Sequence, residues 1–145
     1  MPRKLRVFLD TSALLAGLNS PTGAAGIILA ACFTKDLTPI ISSQIIEEAE
    51  RNIPFKFPKL NSAWQSFLLI PPIIAPDPSL KDINQAHNIL ATSDAPILAS
   101  ALKVKPDVLI TWDIKDFLRE EVKRAVPFPI LLPGEFVKIY LKKSA

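Results

Sequence analysis

The hydrophobic residues of this chain fall into short continuous runs that alternate with longer segments of helical periodicity. Four short runs, rich in branched apolar residues, predict β-strands at residues 5–9, 38–42, 108–111 and 129–132. Apolar residues at helical spacing predict helices at residues 13–18, 24–33, 44–52, 62–70, 80–90 and 134–141, and another that opens at residues 93–96. Strands separated by helices favour right-handed crossovers. We therefore predict a three-layer α/β/α fold with a central, mostly parallel sheet of four or five strands.

The length of the chain fits one domain. Its 145 residues can enclose one full hydrophobic core, and we expect a single domain over residues 1–145 because no linker or internal repeat divides them. Two long uncharged segments, 11–34 and 60–76, are interrupted by a polar turn and by Pro71-Pro72. Each remaining piece is shorter than the ~20 apolar residues that span a bilayer. The basic N-terminus meets Asp10 too early for a signal peptide, so we expect a cytoplasmic protein without a membrane partner.

The amino-acid composition excludes several kinds of metal site. Cys32 is the single cysteine and His87 the single histidine, which excludes cysteine-based zinc or iron–sulfur sites and histidine-rich metal sites. An enzyme built from this sequence has to work mainly with carboxylates, hydroxyls, lysine or arginine. The net charge of +3 is mildly basic and does not identify a partner.

Four acidic residues occupy related places in the predicted sheet. Asp10 and Asp113 directly follow two strands, Glu48 lies in the helix after another, and Asp94 stands at the start of a helix. Each has an ordinary structural explanation: an N-cap for Asp10 and Asp94, an Asx-type turn for Asp113, and a solvated helix face for the glutamate. Together they should lie at one end of the sheet, where unpaired like charges repel. A hard divalent cation, Mg²⁺ or Mn²⁺, would relieve that repulsion through oxygen ligands.

Four motifs in order resemble a known family. They are VFLDTSALLAGL at residues 7–18 with SPTG at 20–23, Glu48 with Arg51, SDAPILASA at 93–101, and ITWDIKDF at 110–117. The acids are separated by 38, 46 and 19 residues, and this order and spacing resemble those of PIN domains over about residues 6–139. The resemblance implies a Mg²⁺- or Mn²⁺-dependent ribonuclease whose substrate is RNA. Some members of the family are toxins of the VapC type, so the resemblance also implies a possible cognate antitoxin and a homodimeric state.

The resemblance also assigns roles to individual residues. Asp10, Glu48, Asp94 and Asp113 match the catalytic acidic quartet, and Ser12 matches a hydroxyl that often stands beside it. The metal ligands are expected to be Asp10, Asp94, Asp113 and Asp116. Two alternatives stay open: Glu47 could replace Glu48, and Asp116 could replace Asp113 as the inner ligand. A core register of Ile45, Ile46 and Ala49 favours Glu48, and proximity to the strand end favours Asp113.

The expected reaction is hydrolysis of an RNA phosphodiester bond by a water that one or two divalent ions activate. Basic residues near the site would hold the flanking phosphates, and Trp112 could stack an unpaired base. The candidates for phosphate contact are Arg51, Lys103, Lys105, Lys115, Arg119 and Lys123.

Two other functions compete with the nuclease. A non-catalytic PIN domain that binds nucleic acid or protein would keep the same fold. A Mg²⁺-dependent phosphatase of the haloacid-dehalogenase type also begins with a strand and an aspartate, but it needs a second aspartate two residues later, where this chain has Ser12. The apolar segment 62–74 could serve as a dimer or antitoxin surface, or as core.

Overall fold

A five-stranded, fully parallel sheet forms the centre of the described structure. The computed structural model describes residues 4–141. Within them the strands are arranged in the order β3-β2-β1-β4-β5. Every neighbouring pair is parallel, with Phe8 opposite Ile40 on one side and Leu109 on the other. The strands are β1 (Leu5–Leu9), β2 (Leu37–Ser42), β3 (Ile73–Ala75), β4 (Val108–Ile110) and β5 (Ile130–Leu131). The predicted α/β architecture is confirmed.

Helices connect the strands and cover the sheet. Within the described residues they are α1 (Thr11–Asn19), α2 (Ala24–Phe33), α3 (Ser43–Lys56), α4 (Asn61–Leu68), α5 (Leu80–Ile89), α6 (Ala95–Val104), α7 (Glu120–Ala125) and α8 (Pro133–Phe136). A 3₁₀ turn at Pro58–Leu60 precedes α4, and a π-helical turn at Val137–Leu141 follows α8.

The strand order creates a switch point beside β1. The chain adds β2 and β3 on one side of β1, then crosses back through α5 and α6 and places β4 and β5 on the other side. The connections that leave β1 and β4 therefore diverge, and a crevice opens at the carboxyl ends of these two strands. Parallel α/β sheets bind ligands in such crevices.

Burial in the hydrophobic core explains why the apolar segments form these strands and helices. Val7, Phe8 and Leu9 of β1 are buried because this central strand is covered on both faces. Helix α2 is apolar on nearly every side, and Ile28, Leu29 and Cys32 reach the core from it. Trp64 and Phe67 of α4 are buried in the same cluster, with their rings stacked.

Several boundaries differ from those predicted. Strand β3 was not predicted, because it has only three residues at the sheet edge and follows two prolines. Helix α7 was missed as well, since Val122 is its single fully buried residue and gives no apolar period. Helix α3 continues past the predicted end at residue 52 because Ile53 packs into the core. The predicted helix 134–141 is divided into α8 and the π-helical turn.

A membrane-spanning helix has to be both long and apolar. Within residues 4–141 no single helix meets both criteria; α1 and α2 meet them only as a pair, and they are joined at a bend of 89°. The N-terminal residues 1–3, on which part of the signal-peptide argument depended, and residues 142–145 lie outside the described part of the chain.

Candidate active site

Asp10 is the most buried charged side chain of the crevice. It leaves β1 as the N-cap of α1, and its side chain is 5% exposed. Oδ1 accepts hydrogen bonds from the Ala13 amide at 3.0 Å and from the Ser12 hydroxyl at 2.7 Å. Oδ2 accepts one from the Thr111 hydroxyl at 2.6 Å. Three donors thus fix both oxygens of one carboxylate at the end of the central strand.

Hydrogen bonds tie the loop after β4 to this carboxylate. Thr111 Oγ1, which donates to Asp10, also accepts from the amide of Asp113 at 2.9 Å. Ser12 Oγ, the other hydroxyl donor, accepts from the amide of Trp112 at 3.0 Å. The two hydroxyls therefore set the position of the β4 loop relative to Asp10.

Burial alters the acidity of Asp10. Desolvation raises its pKa from 3.8 to about 6, against the opposing effect of the bonds from Thr111, Ala13 and Ser12, and the charge of Asp113 raises it further. A carboxylate with three donors that still has a raised pKa occupies a site that disfavours uncompensated negative charge.

Asp94 precedes α6 but does not cap it. Its side chain makes no capping hydrogen bond, while its amide donates to Thr92 Oγ1 at 3.1 Å. The pKa of Asp94 is raised, first by partial burial and then by the charges of Glu48, Asp113 and Asp116. The N-cap explanation therefore does not account for this carboxylate, which faces other acids.

Glu48 and its neighbour Glu47 point in different directions. Glu48 is half-buried and accepts a hydrogen bond from the Thr11 hydroxyl. Glu47 is exposed and borders a separate cavity with Asp77 and Ser43. Because Ile45 and Ala49 are buried, the helical register carries Glu48 toward α1. The structure brings Glu48, and not Glu47, to the other acids.

These acids border one cavity of about 450 Å³. Its lining contains Asp10, Thr11, Ser12, Leu15, Glu48, Asp94, Ile97, Trp112 and Asp113. Asp113 lies in this wall, whereas Asp116 does not; the Asp116 amide donates to Asp113 Oδ1 at 3.1 Å. Four carboxylates from four segments border this cavity, and its lining includes no lysine, arginine or histidine.

Comparison with known proteins agrees with this arrangement. Residues 6–115, more than half of the chain, match the sequence profile of the PIN domain. The chain belongs to the PIN domain family. No curated protein sequence matches it significantly.

Solved structures share the fold of this PIN domain. One is the crystal structure of VapBC2 from Rickettsia felis bound to a DNA fragment from the promoter, with a TM-score of 0.61 and 18% identity over 88% of this chain and 98% of that chain. Another is DNA-bound VapBC from Salmonella typhimurium, with a TM-score of 0.63 and 16% identity over 89% of this chain and 98% of that chain. At these identities the likeness concerns the fold.

The predicted phosphate-contacting residues of the PIN domain are spread over its surface. Arg51 is exposed on α3, one helical turn beyond Glu48, and Lys115 is exposed in the loop after β4. Arg119 forms an ion pair with Glu121 at 3.0 Å. Lys103 lies in the last turn of α6, at the opposite end from Asp94, and pairs with Asp82 at 3.1 Å.

The remaining two candidates also lie away from the cavity lining. Lys105 is the exposed C-cap of α6, and Lys123 is half-buried on α7. Arg51 and Lys115 are close in sequence to the cavity residues Glu48 and Asp113, but none of the six basic side chains belongs to the cavity lining.

Sequence reasoning missed four lining or supporting residues of this PIN domain. Thr11 and Thr111 bond the acidic side chains, and Leu15 and Ile97 supply apolar walls. Thr111 could have been found, because a threonine directly after a buried strand and two residues before Asp113 has its hydroxyl at the strand end. Leu15 and Ile97 carry no such signal, since core leucines and isoleucines look the same in sequence.

The donor chemistry suits a hard divalent cation, although the side chains are not closed around one. Within residues 4–141 no three acidic, histidine or cysteine side chains are close enough together to form a ligand cluster. Mg²⁺ commonly keeps several waters and uses only one or two carboxylates with substrate phosphates. An open cavity whose candidate ligands are four carboxylates therefore suits such an ion, which does not require a closed cage of protein ligands.

Proposed function

We propose that this PIN domain is a Mg²⁺- or Mn²⁺-dependent endoribonuclease that hydrolyses RNA phosphodiester bonds. The observation that carries the proposal is the convergence of Asp10, Glu48, Asp94 and Asp113 on one cavity whose lining contains no cationic side chain. An anionic phosphodiester would be repelled from such a cavity unless a cation were added to it. PIN membership makes nuclease chemistry the reaction class to test.

The metal would be held by Asp10, Asp94 and Asp113 of the lining. Asp116 lies outside the lining, but its charge reaches Asp94, and it is the proposed further ligand. When bound, a divalent ion lowers the pKa of a coordinated water and offsets phosphate charge. Glu48, bonded by Thr11, would complete the negative side of the cavity and orient water.

The chain's own hydroxyls and apolar side chains prepare this site. Ser12 and Thr111 hold Asp10 in one orientation, so its oxygens do not have to reorganise during the reaction. Leu15 and Ile97 form apolar walls beside the carboxylates. Outside the cavity, Arg51, Lys115 and Arg119 would contact flanking phosphates, and such contacts weaken with salt.

The likeness to VapBC structures supports a toxin role with an antitoxin partner.

We also propose that the protein forms a homodimer and that it is cytoplasmic. The segment 62–74 presents Leu69, Ile73 and Ile74 to solvent, which favours a contact surface there over a purely internal role. Analytical ultracentrifugation of the wild type and of Leu69→Glu tests this: a dimer that Leu69→Glu dissociates is expected, and a wild-type monomer would contradict it.

The phosphatase alternative loses support from the geometry. The residue two positions after Asp10 is Ser12, whose hydroxyl donates to Asp10 and so does not supply the carboxylic acid that such a mechanism needs. A non-catalytic PIN domain would keep the cavity but show no turnover.

Cleavage of single-stranded and structured RNAs, with Mn²⁺ or with EDTA, tests the proposed activity. We expect cleavage only with the metal, and a loss of at least about 100-fold in Asp94→Asn, since removing one electrostatic group from a catalytic site costs about 10²–10³ in rate. Binding of Mn²⁺ measured by isothermal titration should weaken in the same variant.

The adjacent glutamates provide a matched pair. Glu48→Gln should reduce the rate strongly, whereas Glu47→Gln, which alters an exposed side chain on the same helix, should leave it within about twofold. Metal-independent cleavage, or equal effects of the two substitutions, would contradict the assignment. Mn²⁺ binding without cleavage of any RNA would favour the non-catalytic alternative.

A further inference from the structure

The two tryptophans of the chain have opposite environments. Trp64 is 1% exposed and stacks on Phe67 in the core. Trp112 is 45% exposed, although burying an indole is worth several kcal/mol at about 25 cal/mol per Å². Ordinary packing explains Trp64 and leaves the exposure of Trp112 unexplained.

The loop after β4 does not need Trp112 as an anchor. Phe117 from the same loop is fully buried, and Val122 just beyond it is buried as well. Hydrogen bonds from the backbone of the loop to Ser12 and Thr111 hold its first residues. The indole is therefore available for another contact.

Trp112 stands at the wall of the acidic cavity in a fixed place. Its amide donates to Ser12 Oγ at 3.0 Å, and the Ser12 hydroxyl donates to Asp10 at 2.7 Å. The next residue, Asp113, is itself a cavity carboxylate. Leu15 and Ile97 extend the apolar surface inside the same lining. One hydroxyl thus links the position of the tryptophan backbone to the position of Asp10.

We propose that Trp112 is a stacking platform for an unpaired base beside the scissile phosphate, which makes it a substrate-contacting residue of this site. The inference rests on the proposed nuclease function and adds a base-contacting residue to it. A base is an uncharged aromatic plane, so it can approach this acidic cavity without the repulsion that a phosphate meets. A duplex keeps its bases stacked on one another and offers none to the indole.

Fluorescence of Trp112 tests the platform directly. In Trp64→Phe, Trp112 is the only tryptophan, and RNA oligonucleotides of about ten adenosines or uridines should quench its emission. The titrations are run in EDTA and in Ca²⁺, a hard cation that accepts oxygen ligands. An RNA duplex of the same length should cause little quenching. Because Trp64→Phe alters the core, Trp112→Leu with Trp64 retained serves as the reverse experiment and should show no quenching.

Binding affinities provide a matched control. Stacking on an aromatic side chain is sequence-tolerant, and its loss should weaken binding of both oligonucleotides between about 5-fold and 150-fold in Trp112→Leu. Phe33, at the end of α2, is also 45% exposed but lies outside the cavity lining. Phe33→Leu should therefore bind as the wild type does, and Trp112→Phe should retain most of the affinity.

Equal binding by the wild type and Trp112→Leu, absence of quenching, or equal quenching by duplex and single strand would overturn the platform. Such results alongside metal-dependent cleavage by the wild type would leave the nuclease proposal intact. Quenching by single strands in a protein that cleaves no RNA would keep the platform and contradict the nuclease.

Discussion

Asp10 combines full hydrogen bonding with an unfavourable charge, and this combination has a measurable effect on stability. A pKa raised from 3.8 to about 6 means that the native state binds a proton more tightly than the unfolded chain does. The contribution of Asp10 to stability is therefore complete below about pH 4 and is lost as the pH rises to about 6. At about 1.36 kcal/mol per pKa unit the loss is on the order of 3 kcal/mol in the metal-free protein.

The substitution Asp10→Asn should remove the fall in unfolding free energy that ionisation of Asp10 causes above pH 4. We expect the metal-free variant to exceed the wild type in unfolding free energy by about 2–3 kcal/mol at pH 7 and to gain nothing at pH 4. Urea denaturation in EDTA across pH 4–7 measures the difference, in which the titration of groups remote from Asp10 cancels. A difference that does not change with pH would contradict the raised pKa. The same variant should lose metal-dependent cleavage.

Thr111 holds two acids through one buried hydroxyl. Thr111→Val keeps the shape but leaves Asp10 Oδ2 and the Asp113 amide without this partner, so we expect a loss of about 1–3 kcal/mol in unfolding free energy. Cleavage should fall more in Thr111→Val than in Thr111→Ser, which keeps the hydroxyl and loses only a methyl group. Metal-dependent rates and urea denaturation of both variants measure this, and the reverse order would show that packing, not the hydroxyl, matters at this position.

At the scale of elements, the α1–α2 corner depends on a glycine. A Cβ on Gly26 would lie 2.2 Å from the backbone oxygen of Ser20 and 2.5 Å from the carbonyl carbon of Pro21. Helix α2 therefore crosses the turn at residues 19–23 at a distance that only glycine permits. This corner sets the direction of α1, whose N-terminus carries Asp10.

Gly26→Ala should accordingly destabilise the domain despite the higher helix propensity of alanine. Overpacking against backbone atoms that cannot move aside is expected to cost about 2–3 kcal/mol, or more. Gly134→Ala in α8 is the matched control, because a Cβ there meets nothing within 4 Å, and it should change stability by less than about 1 kcal/mol. Thermal or urea unfolding measures both variants. Equal effects would mean that the corner relaxes at little cost.

The order of the strands is the element-scale feature that forms the site. Because β1 lies between β2 and β4, the ends of β1 and β4 adjoin, and the Asp10 amide donates to the Ile110 carbonyl at 3.2 Å. The sequence predicted strands before Asp10 and Asp113. It did not contain β3 as a recognisable strand, since three edge residues after two prolines have too little pattern.

At the scale of the whole molecule, one hydrophobic cluster joins distant parts of the chain. Cys32 of α2 and Trp64 of α4 belong to the same cluster, together with Phe136 of α8. Burial raises the pKa of the Cys32 thiol to about 12, so the thiol is both inaccessible and protonated in the native state. Labelling of Cys32 therefore requires the structure to open.

We expect the chain to unfold as one cooperative domain. In Trp112→Phe, the unfolding free energy from Trp64 fluorescence in urea should equal the opening free energy from labelling of Cys32 by a thiol reagent. Agreement within about 1 kcal/mol is expected. A clearly smaller value from Cys32 would show that α2 opens separately from the rest of the domain.

The sequence by itself determined the α/β order, excluded multi-cysteine and histidine-rich metal sites, and placed three aspartates at element ends and Glu48 within a helix. These features are local, because a buried strand, a helix start and a residue type are all visible in adjacent positions. Tertiary structure decided which glutamate faces the cavity, that the Asp94 side chain leaves its cap, and that Thr11 and Thr111 bond the acids. It also placed Lys103 at the opposite end of α6 from Asp94, where Lys103 pairs with Asp82. These features depend on contacts between residues 21 to 101 positions apart or on the register of a packed helix, which no local pattern specifies.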